Sequence, residues 1–184
     1  WLGWTARPDA RPTRHHVLLI HEAALFRNML TPVLKAAGYA TGMVGKWHLG
    51  DRGPSLPNDM GFDSYFGAHY SNDMAPFALY ANRDIAVAAP VDQHYLTERY
   101  TQAATSFIEA HAQAPFFLYF AHNFPHDPLF VRKERSGTSQ AGLYGDVVEE
   151  LDDSVGAIVA TLQRTGNLEN TLIIISSDNG PWFL

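Results

Sequence analysis

The sequence predicts an α/β fold built on a mostly parallel sheet flanked by helices. Three observations carry the prediction. Helix-period and strand-type segments alternate along most of the 184 residues. The strand-type segments are continuous apolar runs, the pattern of strands covered on both faces. A polar cluster follows each of three such runs, and in sheets of this kind ligands collect at the carboxyl ends of the strands.

Composition sets the outer limits. Hydrophobic residues make up 46% and charged residues 17%, with a net charge of −6. Such a chain is globular, since a disordered one is poorer in apolar residues. The acidic balance argues against a nucleic-acid partner, which requires a basic stripe. A small anionic substrate remains compatible, because a pocket can be locally basic on an acidic protein. The sequence contains no cysteine, which excludes disulfides and thiolate metal sites. No apolar run approaches the ~18–20 residues of a membrane span. Arg7, Arg11 and Arg14 occur early, but no clean apolar stretch with a small-residue cleavage site follows them. The C-terminal run Asp178-Asn179-Gly180-Pro181-Trp182-Phe183-Leu184 stops just after a strand-type segment. The expectation is therefore a segment of a longer protein.

The elements follow in order. Residues 1–16, rich in Arg, Pro and His, read as loop. Over 22–37, Leu25, Met29, Leu30, Val33 and Leu34 share one helical face, and Gly38 supplies a C-terminal stop. Thr41–Gly45 is a short buried strand leading into Lys46-Trp47-His48. Residues 51–92 combine Gly53-Pro54, Pro57-Asn58-Asp59 and Gly67 with Phe62, Tyr65, Phe66, Tyr70, Phe77 and Tyr80. That mixture reads as an ordered, loop-rich insertion; a flexible linker would not carry so many large apolar side chains. An amphipathic helix spans 95–112, with Leu96, Tyr100, Ala104, Phe107 and Ile108 on its apolar face. Pro115 introduces the strand 116–121. A second long helix spans 143–164, with Tyr144, Val147, Val148, Leu151, Ile158 and Leu162 toward the core and the acidic run Glu149–Asp153 read as a solvated face. Residues 171–176 give the strongest strand signal.

Three clusters thus fall at strand ends: Lys46/His48, His122/His126 and Asp178/Asn179. If the strands are parallel, all three lie on one edge of the sheet. Lys46 and His48, two apart in an extended segment, share a side and suit an oxygen-rich anion such as sulfate or phosphate. Gly45 and Gly50 allow close backbone approach to such a ligand. His122 and His126 stand at zinc-ligand spacing, but Pro125 and Pro128 oppose the helix that spacing needs. His126 is therefore the better donor to an anion or leaving group, and His122 reads as a structural loop residue. Asp178 and Asn179 offer oxygens to a hard cation, although two ligands make no site by themselves and, taken alone, an Asx turn is the better reading. Trp47 reads as packing.

These residues, in this order, resemble the sulfatase family. Gly38-Tyr39-Ala40-Thr41-Gly42-Met43-Val44-Gly45-Lys46-Trp47-His48-Leu49-Gly50 is similar to one of its two signatures almost position by position. Tyr70-Ser71-Asn72-Asp73-Met74, Pro125-His126, Gly145–Asp152 and Ser177–Pro181 resemble the arylsulfatase A-like branch. The likeness covers about 33–182 and is poor over 1–32, so the chain reads as one partial catalytic domain. The resemblance implies an alkaline-phosphatase-like core, here incomplete at both ends, and hydrolysis of sulfate esters. It implies Lys46 as the sulfate-binding cation, His48 as a catalytic His, and Ser71 in the substrate pocket. His126 would contact sulfate and act as general acid, and Asp178 and Asn179 would be Ca2+ ligands. Its substrates are sulfated small molecules or glycans, in a periplasmic, secreted or lysosomal setting.

The family nucleophile is a formylglycine made from a C/S-x-P-x-R signature, which this chain lacks. Ser55-Leu56-Pro57-Asn58-Asp59 has no Arg and lies on the wrong side of Lys46. The early Asp-Asp metal pair is also missing. The chain alone is therefore expected to be inactive. Two other functions stay open at this stage: a phosphate-ester hydrolase of the same superfamily, and a non-catalytic binder of anionic glycans.

Overall fold

A computed structural model describes residues 16–20 and 30–177. Seven strands form one sheet in the order β5-β4-β3-β2-β6-β1-β7. They are β1 (His16–Ile20), β2 (Ala40–Gly45), β3 (Ser64–Gly67), β4 (Leu79–Ala81), β5 (Asp84–Val87), β6 (Phe116–Ala121) and β7 (Thr171–Ile175). The helices are α1 (Leu30–Ala36), α2 (Leu96–Ala110) and α3 (Gly142–Arg164). Strands β3, β2, β6, β1 and β7 run parallel, and β4 and β5 add an antiparallel edge. The mostly parallel α/β architecture is thus the one expected.

Two departures matter. The reading of residues 1–16 as loop ends one residue too late, because His16 opens β1, a strand seated between β6 and β7. Its apolar run is short and follows a stretch rich in Arg, Pro and His, so periodicity does not reveal it. Second, the insertion at 51–92 is not merely loops: it holds β3, β4 and β5. Their three- and four-residue lengths give too few repeats for alternation to show. Asn82 turns the β4–β5 hairpin with φ 55°, a left-handed conformation that Asn tolerates. Its side-chain oxygen accepts the Tyr65 N–H at 3.0 Å, tying the hairpin back to β3. The helix expected over 22–37 is described from Leu30 to Ala36; its earlier part lies outside the described residues.

The larger core cluster joins α2 and α3 to the sheet. Tyr100, Ala104 and Ile108 of α2 and Ile158 and Leu162 of α3 are fully enclosed, against Phe116, Leu118 and Phe120 of β6. A second cluster gathers Met43, Tyr65, Phe117 and Tyr119 with Trp47 and Phe62, and Leu30 and Leu34 of α1 pack onto it. Alternate residues of β6 fall into the two clusters, which is why its sequence is apolar throughout. Trp47 is buried and donates from Nε1 to the Ser55 carbonyl at 2.7 Å, so it packs as expected. β7 lies at one edge of the sheet, with Leu172, Ile174 and Ile175 exposed.

Helix α3 corrects the sequence reading on both faces. Tyr144 and Val148 are exposed, while Asp146 and Glu150 are buried. The Asp146 carboxylate accepts the backbone N–H groups of Gly137 and Ser139, both at 2.7 Å, and the Thr138 hydroxyl. Those bonds hold its carboxyl below the usual carboxylate range. Glu150 accepts from Arg132 Nε at 2.5 Å. Hydrophobic periodicity could not show this, because both acids are buried through partners on the 132–139 loop.

Candidate active site

Parallel strands bring chain segments from distant parts of the sequence to one sheet edge. Beyond β2, the Lys46 N–H donates to the Ala121 carbonyl at 2.7 Å, at the end of β6. The Trp47 and His48 N–H groups donate to the Ala68 and His69 carbonyls at 2.9 and 2.8 Å, just past β3. The segment carrying Lys46 and His48 is therefore stitched between the ends of its two neighbours. Glycine makes this possible. A Cβ on Gly45 would lie 1.8 Å from the Ala121 carbonyl oxygen, and one on Gly67 would lie 1.9 Å from the Gly45 oxygen. At Gly45 the close approach is to neighbouring backbone, and at Gly50 it is to the Ser55 side chain.

Simple alternation does not place the two side chains. Lys46 is buried and His48 exposed, and His48 leaves the extended path with φ 56°. A non-glycine residue in this region is strained, and such residues concentrate at functional sites. His48 still interacts electrostatically with Lys46 and His126. Burial, then Lys46 and His126, lower its pKa, and Asp73 opposes them.

His126 comes from the loop after β6. Its backbone N–H donates to the Asn123 carbonyl at 3.2 Å. Its Nδ1 lies 2.6 Å from the Asp127 carbonyl oxygen and 3.4 Å from Ser71 Oγ. A carbonyl oxygen can only accept, so Nδ1 carries the proton and Nε2 is left for substrate chemistry. Ser71 is buried in the turn after β3, where Met74 N–H donates to its carbonyl at 3.1 Å. Lys46, His48, Ser71 and His126 thus gather in one place. Asp178 and Asn179 lie outside the described residues.

Several residues that pattern reasoning did not single out hold this cluster together. Tyr100 Oη donates to Asn123 Oδ1 at 2.7 Å, pinning the His126 loop to α2. Asn72 Nδ2 donates to the Pro128 carbonyl at 2.9 Å and to Gln93 Oε1 at 3.1 Å. Gln93 Nε2 returns a bond to the Asn72 carbonyl at 2.9 Å. The Ser71 side chain, then Asp73's own backbone N–H, His126 and Lys46, hold the Asp73 carboxyl below the usual carboxylate range. Its one sequence signal is its place two residues after Ser71.

His122 takes no part in the cluster. Its ring sits among those of Tyr100, Phe120 and Phe124. Its Nδ1 accepts the Phe124 N–H at 2.9 Å, and Nε2 is inaccessible and has no partner among the described residues. Burial pulls its pKa down to about 3. The neutral ring is structural, as read.

Among the described residues no group of three His, Asp or Glu side chains could hold a metal, so these residues do not by themselves fit a calcium ion. Nor does the sequence hold the formylglycine signature. What the cluster offers is cationic charge and proton handling. An apolar cavity of about 310 Å³ lies elsewhere, bounded by β2, β3 and α2 and lined by residues such as Met43, Tyr65 and Phe107. Its lining is almost wholly apolar and holds none of the Lys46, His48, Ser71 or His126 side chains, so the cavity is a packing gap, not the reaction site.

A Lys/His/Ser cluster at the ends of parallel strands belongs here to an α/β domain with a mostly parallel sheet. Its family is sulfatase: the Sulfatase family model matches residues 5–183, and the chain belongs to that family. N-acetylgalactosamine-6-sulfatase of Mus musculus is 39% identical over 170 residues, covering 83% of this chain and 33% of its own length. Arylsulfatase G of Homo sapiens is 35% identical over 188 residues, covering 83% of this chain and 35% of its own length. The chain therefore spans about a third of these relatives. A Bacteroides thetaiotaomicron structure from a locus for metabolism of multiple glycosaminoglycans superposes with a TM-score of 0.75 at 27% identity, covering 80% of this chain and 44% of the other. Among the described residues no helix is long and apolar enough to cross a membrane.

Proposed function

We propose that this chain supplies the sulfate-binding and proton-handling part of a sulfate-ester hydrolase acting on sulfated sugars or aryl sulfates. One observation carries the reading: Lys46, His48, Ser71 and His126, from three separate chain segments, meet at the carboxyl edge of a parallel sheet. Lys46 offsets charge on the sulfate oxygens. His48, whose pKa is lowered by partial burial and by Lys46, hydrogen-bonds at the reacting centre. Ser71 and the Asp127 carbonyl hold His126 by Nδ1–H, so that Nε2, when it too carries a proton, donates to the sulfate or the leaving oxygen. A formylglycine nucleophile and a calcium ion, with Asp178 and Asn179 as ligands, would complete the chemistry in a longer chain. The substrate class is the one that the relatives' names describe.

The test separates binding from turnover. Calorimetric titration of the 184-residue chain with inorganic sulfate gives a defined affinity, and Lys46→Ala weakens it about tenfold or more, the loss of one charge-assisted contact. Unchanged affinity in that variant refutes the reading. The same chain gives no appreciable turnover of an aryl sulfate, and clear turnover contradicts that part.

A further inference from the structure

The bonds that hold Ser71 beside His126 also bring together two rings outside that cluster. Asn72 Nδ2 donates to Gln93 Oε1 at 3.1 Å and to the Pro128 carbonyl at 2.9 Å, and Gln93 Nε2 donates back to the Asn72 carbonyl at 2.9 Å. His94 follows Gln93, and Phe130 lies two residues past Pro128. Their rings meet edge to face, with 5.0 Å between centroids and 79° between planes. Phe130 is the fourth residue after His126, so the two backbones are at most about 14 Å apart.

The His94 ring is held in place yet open to solvent. Its Nδ1 lies 2.9 Å from Asp92 Oδ1, and both side chains are about half exposed. A carboxylate only accepts, so Nδ1 carries the proton. Nε2 has no partner among the described residues. Asp92 caps the turn Gln93–Tyr95 through the backbone N–H of His94, at 3.1 Å, a bond that does not need an imidazole. The cap therefore does not account for the side chain. An exposed ring already fixed by a carboxylate and by Phe130 loses little freedom when a ligand arrives, which is the condition for preorganised binding.

The pair has the two faces that a sugar requires. In a neutral ring Nε2 accepts a hydroxyl, and the half-buried Phe130 ring packs against C–H groups. A simple aryl sulfate ends at its one ring and does not extend toward the pair. A glycan continues beyond the sulfated unit. Resting on the sulfate-ester reading, we propose that His94 and Phe130 form a sugar-binding subsite next to the His126 cluster, so that the preferred ligand is a sulfated oligosaccharide and not a single sulfated ring.

Calorimetry of the 184-residue chain compares inorganic sulfate, N-acetylgalactosamine 6-sulfate and a chondroitin 6-sulfate tetrasaccharide. The tetrasaccharide is expected to bind about fivefold or more tightly than the monosaccharide. His94→Ala keeps the Asp92 cap and should weaken the tetrasaccharide about fivefold, the loss of one hydrogen bond with its packing. Phe130→Leu keeps every charge and the packing of this residue on the larger core, and should weaken it about threefold. Neither variant should change the affinity for the two smaller ligands. Equal affinities of the parent for tetrasaccharide and monosaccharide overturn the inference and leave the sulfate site standing. So does a loss shared by either smaller ligand, or no loss in either variant. A loss in His94→Ala with none in Phe130→Leu marks general charge attraction and overturns it too. A parent chain that binds none of the three ligands takes down the site reading and this inference with it.

Discussion

Acidification should unfold this protein partly through one histidine. The His122 ring is enclosed by aromatic rings, its Nδ1 accepts a backbone N–H, and Nε2 touches no acceptor. Protonating it in place would force a proton onto Nδ1 against the Phe124 N–H and bury a charge, hence a pKa near 3 in place of 6.5. Between those values the unfolded chain binds a proton that the folded chain refuses, so stability is full above the unfolded value and falls as pH drops below it. At pH 7 the linkage costs about 0.2 kcal/mol, and at pH 5 about 2 kcal/mol. The difference hardly depends on the folded value, provided it lies well under 5. His122→Asn offers an amide oxygen to the Phe124 N–H and cannot titrate. Urea unfolding followed by circular dichroism at pH 7 and pH 5 gives the loss on acidification for each protein. The variant should lose about 1.5–2 kcal/mol less than the parent. His48 and His69, whose pKa values are also lowered, add the same background to both proteins. Equal losses in the two proteins would refute the reasoning.

Other expectations follow from the same geometry. Gly45→Ala drives a methyl into the Ala121 carbonyl at a backbone φ of 115°; it should cost about 3 kcal/mol or more, or prevent folding, as judged by the urea midpoint. Tyr100→Phe leaves Asn123 Oδ1 buried without its donor and should cost about 1–3 kcal/mol; loss of sulfate affinity beyond the stability change would show that the His126 loop has shifted. Arg132→Ala strips the buried Glu150 of its partner and should cost about 2 kcal/mol, below the ~3–5 of a fully enclosed pair because Arg132 keeps contact with water. Arg132→Met, measured beside it, separates lost packing from lost charge.

The parts legible in the sequence were those with long, repeated signals. Strand β6 reads directly from Phe116–Ala121 because each of its two faces is covered by a different cluster. Helix α2 shows its apolar stripe at Leu96, Tyr100, Ala104, Phe107 and Ile108, all buried. That the segments carrying Lys46 and His126 leave one edge of the sheet could be expected from parallel strands alone, since parallel pairing aligns their carboxyl ends. What stayed hidden is non-local and polar. Nothing in a single sequence says that Asp146 will cap a loop seven to nine residues earlier, or that Glu150 will find Arg132. Nor does sequence spacing show that Asn72 and Gln93 clasp each other. Short strands such as β4 fall below the length at which alternation carries information.

The left-handed backbone at His48 has one further consequence. Glycine would sit there more comfortably by about 1 kcal/mol in backbone terms, a cost that the edge-on contact of the imidazole with the Tyr70 ring, 5.8 Å between centroids, offsets only in part. His48→Gly should melt slightly later than its parent while losing sulfate affinity. Durability and recognition then pull against each other at a single bond rotation.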